Sequence, residues 1–318
     1  MKAFITGGAG FIGSTLADKL LKKGFSVTVY DNLSTGQPLF YEHNLSNPNY
    51  TFIEADISDK DKLNTVTQGV DMIFHFQANA DVRGGMRNTG VDLEQNIIGT
   101  HNALEAARIN NIKKFAFASS AAIYGEPAIF PTPENIAVIQ TSLYGASKFS
   151  AEALIQAYSE YYDIQSWIYR FVSFTGPRYT HGVIFDFMRK LINNPNELEI
   201  LGNGQQRKSY LDVADGVEAI FQSVMKAKDK INIFNLGNEE FLNVKELASE
   251  MLGLLNLKNT SFKFTGGERG WKGDSPLVQL DIKKIQSIGW TPTYTIRESI
   301  KRTVEFLSKN SYLLEVID

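Results

Sequence analysis

Tyr144 and Lys148 stand four residues apart in Leu143-Tyr144-Gly145-Ala146-Ser147-Lys148, a spacing that puts both on one face of a helix. A tyrosine at its ordinary pKa of ~10 is a poor base at neutral pH. An ammonium beside it favours the phenolate, so the pair makes a general base for a hydroxyl proton. Upstream, an apolar run over residues 114–118 ends in Ser119-Ser120-Ala121-Ala122-Ile123-Tyr124-Gly125. A hydroxyl leaving the end of that strand could hydrogen-bond the reacting oxygen. In a chain with 13 tyrosines, a lone Tyr/Lys pair is more often an exposed amphipathic pair. The strand-end serines, and the glycine-rich loop at the start of the chain, turn the reading toward chemistry.

That loop is Gly7-Gly8-Ala9-Gly10-Phe11-Ile12-Gly13. It follows a strand-like run and leads into a pattern in which Phe11, Ile12, Leu16, Leu20 and Leu21 recur at helical spacing. Gly7, Gly10 and Gly13 permit a tight turn, let backbone N–H groups approach a pyrophosphate, and let the helix pack closely on its strand. The next strand ends at Asp31. A carboxylate there can accept from both hydroxyls of a ribose and would repel a 2′-phosphate, which favours NAD over NADP. With NAD bound, a Tyr144 base would couple removal of a hydroxyl proton to hydride transfer.

These residues need a scaffold, and the pattern supplies one. Strands are expected at 3–6, 26–30, 50–54, 72–76, 114–118 and 165–170. Helices are expected between them, notably over 96–110 and 144–162, with Gly24 closing the first. Near-continuous apolar strands alternating with helices predict an α/β fold, a doubly wound parallel sheet of the Rossmann kind. After residue 171 the alternation breaks into loops rich in Gly, Asn and Pro, over 175–182, 193–196 and 201–208. A strand at 231–236 and a helix at 244–255 follow. The tail predicts a smaller, mixed α/β C-terminal substrate domain over the sheet's carboxyl edge. The expected division is residues 1–170, with about 210–237, for the NAD-binding domain, and 171–209 with 238–318 for the substrate domain.

Composition narrows the function. The 318 residues are 43% hydrophobic and 21% charged, ample for one large domain or two interlocked ones. A net charge of -3 gives no pull toward nucleic acid or an anionic membrane, so neither is expected as a partner. The absence of cysteine removes disulfides, thiol nucleophiles and thiolate metal sites, and fits a reducing compartment. Four histidines without ligand spacing give no metal site. No apolar run approaches the ~18 residues that span a bilayer. A strand beginning at residue 2 leaves no room for a signal peptide, and a cytoplasmic location is expected.

Taken together, the glycine loop, Asp31, Ser120 and the Tyr144/Lys148 pair resemble the nucleotide-sugar epimerases of the extended short-chain dehydrogenase/reductase family, closest to its UDP-glucose 4-epimerase group. The resemblance runs from Gly7 to Gly289-Trp290-Thr291-Pro292. It implies that Ser120 is the catalytic serine, Tyr144 the base, and Lys148 the lysine that holds the nicotinamide ribose and tunes the base. Asp31 takes the adenosine-ribose position, Asp56 the adenine contact and Asn96 a place near the nicotinamide. Phe11, Ile12, Asn32, Ile57 and Gln77 join the glycines among the implied cofactor residues. In the implied mechanism Tyr144 removes the sugar's 4-hydroxyl proton while C4 gives hydride to NAD. The 4-keto sugar then turns over, and hydride returns to the opposite face. NAD would thus be regenerated each turnover and stay bound. A homodimer built on the helices at 96–110 and 144–162 is also implied.

Where the chain departs from its relatives, the departures are informative. Sister dehydratases carry an acid just after the catalytic hydroxyl, to serve the elimination of water; here that residue is Ala121. Sister decarboxylases place a glutamate in this stretch, and none occurs between Ala116 and Gly125. The segment Gly202-Asn203-Gly204-Gln205-Gln206-Arg207-Lys208-Ser209-Tyr210 resembles the loop over the substrate diphosphate, with Arg207 or Lys208 as the ligand. Arg269 resembles a second diphosphate cation. Ser173 stands where many relatives have asparagine. Val278 aligns where epimerases restricted to plain hexoses carry tyrosine, leaving room for a 2-acetamido group. His75, between Phe74 and Phe76, is expected to be core packing; His181 is expected in the pocket or at the surface. The loop 79–85 could face the sugar. A different nucleotide-sugar epimerase, a 4-keto reductase, or a non-catalytic NAD-binding scaffold remain the alternatives.

Overall fold

Parallel strands bury both faces and need near-continuous apolar sequence, and the runs above meet that need. The computed structural model describes residues 1–79 and 81–315. Along the first half, β1 (Lys2–Thr6), α1 (Phe11–Lys22), β2 (Ser26–Asp31), α2 (Pro38–Tyr41), β3 (Tyr50–Glu54), α3 (Lys60–Val66), β4 (Met72–His75), α4 (Gly99–Ile109), β5 (Lys114–Ser120), α5 (Leu143–Tyr162) and β6 (Gln165–Phe171) alternate. Beyond them come β7 (Ser173–Thr175), α6 (Val183–Asn193), β8 (Glu197–Ile200), β9 (Arg207–Lys208), β10 (Tyr210–Asp212), α7 (Val213–Lys226) and β11 (Ile231–Leu236). The chain continues through β12 (Leu242–Asn243), α8 (Val244–Leu254), β13 (Ser261–Phe264), β14 (Leu277–Val278), α9 (Lys283–Gln286) and α10 (Ile296–Lys309).

Seven strands form one sheet in the order β3-β2-β1-β4-β5-β6-β11, and every neighbouring pair is parallel. The order turns back on itself between β1 and β4, so the crevice at their carboxyl ends is the switch point where such sheets bind ligands. Alternation along β1 feeds both layers. Ala3 and Ile5 pack with Leu16 and Leu20 of α1 and Val217 and Ile220 of α7. Phe4 packs with Leu104 of α4 and Ile155 of α5. Smaller sheets lie outside the main one. β10 pairs with β7, β9 lies between β12 and β14, and β13 pairs with β8.

Most elements match the sequence expectation to within one or two residues at their ends, and two differences bear on the site. β4 stops at His75, one residue early, where the ring is held between the Thr6 hydroxyl at Nδ1 (2.7 Å) and the Thr100 hydroxyl at Nε2 (3.1 Å). Burial pushes this imidazole down to about 3, so it is a neutral core histidine. The helix expected over 96–110 begins as a π-helical segment, Leu93–Ile98, and becomes α-helical only at Gly99. Such bulges admit an extra residue and re-aim side chains. The last three residues of the 238–318 stretch, and Ala80 of the 79–85 loop, lie outside the described residues. Among the described residues no helix is long and apolar enough to cross a membrane.

One buried ion pair ties α5 to the sheet. Arg170 on β6 donates to Glu152 on α5 through Nε (3.1 Å) and Nη2 (2.7 Å), with both side chains almost wholly out of solvent. Ser119 at the end of β5 donates to the same carboxylate at 2.5 Å. Arg170 Nη1 donates to the Tyr124 hydroxyl and to the Glu134 carbonyl, each at 2.8 Å, and Tyr124 donates to Asn235 of β11 at 2.7 Å. Removing one partner of a buried pair leaves an uncompensated charge, so Glu152→Ala should destabilise the fold by about 3–5 kcal/mol. Urea unfolding would measure it; a loss below about 1 kcal/mol would mean that α5 is held by packing alone.

Candidate active site

The candidate residues converge because each follows the carboxyl end of a neighbouring strand. The glycine loop follows β1, Asp31 ends β2, Asp56 follows β3, Gln77 follows β4 and Ser120 ends β5. In the loop, Gly7 has φ +69°, and a Cβ there would lie 2.7 Å from the Gln77 nitrogen. A Cβ on Gly13 would lie 2.2 Å from the Gly7 carbonyl oxygen, so α1 reaches its strand only because that position is glycine. Gly10 caps α1 without a side-chain hydrogen bond. The first N–H groups of the helix, at Phe11, Ile12 and Gly13, are thereby left for an external anion.

Beyond the loop, Asp31 is buried and accepts from the Ala9 nitrogen at 2.9 Å and the Leu33 nitrogen at 2.8 Å. Burial raises its pKa and the two N–H groups pull it back. Asn32 donates to the Asp56 carboxylate at 2.7 Å, and the N–H of Ser58 leads in holding that carboxyl below its usual range. Ile57 is buried, its carbonyl accepting from Asn102 at 3.0 Å. Gln77 donates to Gln95 at 2.7 Å, while its Oε1 is buried without a partner. The cradle, the uncapped helix start and the orphaned amide oxygen together fit a dinucleotide.

Around the chemistry, α5 starts at Leu143 with the Ser142 hydroxyl accepting from the Gly145 nitrogen at 3.0 Å. That first turn carries Tyr144 beside the end of β5. The Ser120 hydroxyl accepts from the Ala122 nitrogen at 3.1 Å, and its position near the Tyr144 phenol favours the phenolate and lowers the phenol's pKa. Burial outweighs it and pushes the phenol up to about 12. Lys148 is 2% exposed. Its ammonium donates to the Ala118 carbonyl at 2.9 Å and lies 5.9 Å from the centre of the Tyr144 ring. Burial pushes it down to about 7, against the opposing pull of Asp92 and Glu152.

A second group lies on the strands that follow. Lys208 of β9 pairs with Val278 and Arg207 with Leu277; adjacent strand residues face opposite sides, so Arg207 and Lys208 diverge. The Lys208 ammonium donates to Asp274 Oδ1 and to the Ser275 carbonyl, each at 2.6 Å. The Arg207 guanidinium lies 4.0 Å over the Phe241 ring. Arg269 donates to the Asp274 carbonyl at 2.8 Å and to both oxygens of Glu126, just past β5. Lys208 and Arg269 are thus brought together through Asp274, and Arg207 is not. Ser173 sits on the exposed side of β7, and His181 stacks on Tyr179 with centroids 6.0 Å apart. Among the described residues no cluster of side chains could hold a metal ion.

Sequence reasoning missed Asp92, Ser147, Glu126 and Asp274. Asp92 and Asn96 stand four apart, so helical spacing could have linked them. Nothing in the sequence joins Glu126 to Arg269.

Residues 3–237 match the NAD dependent epimerase/dehydratase family. A putative UDP-glucose 4-epimerase of Methanocaldococcus jannaschii is 35% identical over 315 residues, covering 96% of this chain and 98% of that protein. A mouse dTDP-D-glucose 4,6-dehydratase is 31% identical over 97% of this chain and 89% of that protein. A crystal structure of a UDP-galactose 4-epimerase superimposes with a TM-score of 0.88 at 35% identity, covering 98% of this chain and 99% of that one.

The buried Lys148 makes stability depend on pH. Below about pH 7 the folded protein carries the charge out of water, at a cost. From there up to the free-lysine value near ~10.4, the unfolded chain binds more protons, so this contribution to stability rises with pH. Lys148→Met removes it. The variant should therefore gain most on the wild type at pH 6 and least at pH 10, read as the difference in Tm. A gap constant across that range would show that Lys148 is charged in the fold throughout.

Proposed function

The chain belongs to the NAD-dependent epimerase/dehydratase family, and from the geometry at the end of β5 we propose how its residues carry out the reaction. The protein is an NAD-dependent 4-epimerase of a nucleotide-activated hexose, within the range of UDP-glucose, UDP-galactose and their N-acetylated forms. The observation that carries the assignment of roles is the Lys148 ammonium 5.9 Å from the Tyr144 ring in the first turns of α5, with Ser120 at the end of β5 favouring the phenolate. Ala121 follows the serine where the sister elimination needs an acid.

Bound NAD supplies the reversible two-electron exchange at C4 of the sugar and, when oxidised, a positive charge beside the phenol. Tyr144 takes the proton of the 4-hydroxyl and returns it after the 4-keto sugar has turned over. Ser120 donates to the same sugar oxygen and steadies the negative charge that develops on it. Lys148 holds the nicotinamide ribose and favours the phenolate. Asp31 accepts from the adenosine ribose, with Asn32, Asp56 and Ile57 flanking the adenine and Gln77 and Asn96 on the nicotinamide side. Phe11, Ile12 and Gly13 present their N–H groups to the pyrophosphate.

For the sugar nucleotide, Lys208 rather than Arg207 is the diphosphate ligand, with Arg269. Lys208 shares its face of β9 with Val278 and reaches Asp274 beside Arg269. Val278 leaves room for a 2-acetamido group. Residues 171–209 and 238–318 form the substrate domain, and the chain works in the cytoplasm, which its lack of cysteine favours.

Purified protein given UDP-glucose, UDP-galactose and their N-acetylated forms, with no NAD added, should interconvert C4 epimers by proton NMR. Turnover of the plain sugars alone would discard the role of Val278. Absence of all turnover, with NAD still bound, would favour another nucleotide sugar or a scaffold. In Tyr144→Phe, kcat should fall by a factor of about 10²–10⁴ while the purified protein still carries NAD.

Exposed apolar side chains on the helices over 93–109 and 143–162 support a homodimer. Leu93, Ile98, Ile109, Phe149 and Tyr161 are exposed along the π-helical segment, α4 and α5. Sedimentation equilibrium should give twice the 35.5 kDa chain mass, and a monomer at micromolar concentration would reject the assembly.

A further inference from the structure

Asp92 is a buried carboxylate to which the reaction above gives no task. It is 2% exposed and immediately precedes the π-helical segment. Its Oδ1 accepts from Asn79 Nδ2 at 3.0 Å and from Asn96 Nδ2 at 3.1 Å. Its Oδ2 is sealed from solvent and has no hydrogen-bond partner; a Cβ on Gly85 would lie 2.7 Å from it. A carboxylate oxygen left unpaired in the interior is costly and calls for a reason.

Two observations supply one. Asn96 is fully committed. Its amide oxygen accepts from the Asn79 nitrogen at 2.8 Å, which fixes the orientation of the amide, and its two N–H donors go to Asp92 and to Ser147 Oγ (2.9 Å). Ser147 in turn donates to the Tyr144 carbonyl at 2.8 Å. A continuous relay therefore runs from Asp92 to the first turn of α5. Charge is the second observation. Glu152, one turn beyond Lys148, is matched by Arg170 in a bidentate pair. His75 on β4 is neutral, Tyr144 is held as a phenol, and Asp81 in the loop repels Asp92. Asp92 is the carboxylate without a cationic partner of its own whose charge acts on Lys148, beside that of Glu152, and it acts on Tyr144 as well.

We propose that Asp92 is a positioning residue for the proton transfer, fixing Asn96 and Ser147 against the turn that carries Tyr144 and supplying the counter-charge that keeps Lys148 an ammonium. The inference rests on the roles given to Tyr144 and Lys148 above. A negative charge raises the pKa of both groups, so its removal lowers both. Asp92→Asn is nearly isosteric; it removes the charge and keeps an acceptor oxygen for Asn79 and Asn96. Both limbs of its kcat/KM profile should move to lower pH by on the order of one unit. The carbon-13 signal of Lys148 Cε should titrate lower by a similar amount, a readout independent of turnover. Ser147→Ala keeps the charge and cuts the relay; kcat should fall about tenfold with KM and both limbs unmoved.

Unmoved limbs and an unmoved Lys148 titration in Asp92→Asn, with only Tm or NAD content lowered, would overturn the counter-charge. Full kcat in Ser147→Ala would overturn the relay, and that variant decides it even if Asp92→Asn fails to fold. Wild-type turnover separates the two levels. Without it the assigned function fails; with it, a null result in the variants defeats this inference alone.

Discussion

The Glu152–Arg170 pair is the constraint on which the site depends. Parallel strands fix where their carboxyl ends lie, but a helix packed on a sheet through apolar contacts can slide, because such contacts are non-directional. A bidentate guanidinium–carboxylate pair is directional. It locks Glu152 of α5 to β6, and Ser119 locks the same carboxylate to β5. Lys148 lies one turn before Glu152 and Ser120 is next to Ser119. The distance between the proposed base and the proposed oxygen donor is thus set by a network that touches neither. The same guanidinium reaches Tyr124 and the Glu134 carbonyl, so the loop after β5 is held in register with the catalytic helix.

Burial works against the chemistry it shelters. Removal from water favours the neutral form of both Tyr144 and Lys148, pushing one up and the other down. Proton abstraction needs the opposite, a phenolate beside an ammonium. The nearby Ser120 hydroxyl recovers part of the phenolate, and the carboxylates of Asp92 and Glu152 recover part of the ammonium. Oxidised NAD, held by the residues proposed for it, would add a positive charge that favours the phenolate further.

Much of this was legible in the sequence because local rules and global fold agree. The order strand, glycine loop, helix, strand, acid has one common structural outcome, and the residues it names all sit at the carboxyl edge. The Tyr144/Lys148 spacing survives translation into structure because a helix fixes which residues share a face. What the sequence hides is whatever depends on two distant segments meeting. Glu126 and Arg269 are brought together from 143 residues apart. Arg207 and Lys208 could not be told apart until the pairing of β9 with β14 showed which faces the Val278 side. The π-helical start of the 93–109 segment was hidden for another reason. Its apolar residues satisfy an α-helical period well enough, and only the backbone hydrogen bonding shows the wider turn.

The two ends of the cleft answer opposite electrostatic demands. At the chemical end Lys148 is buried with its charge only partly balanced, an arrangement that is costly in stability and responsive to each nearby charge. At the proposed diphosphate end Arg269 and Glu126 form an exposed pair, while Lys208 is only partly accessible and its partner Asp274 is buried. Exposed pairs contribute only about 0–1 kcal/mol, so an incoming diphosphate, with more charge and more acceptor oxygens than Glu126, displaces that carboxylate from Arg269 at little cost. Until then the carboxylates keep the two cations from repelling each other and hold the loop around Asp274 against the turn after β5, where Ser275 also donates to the Gly125 carbonyl at 2.8 Å. Arg269 is thus placed where an exchange of partners is cheap, whereas Lys148 is held inside the fold, 2% exposed.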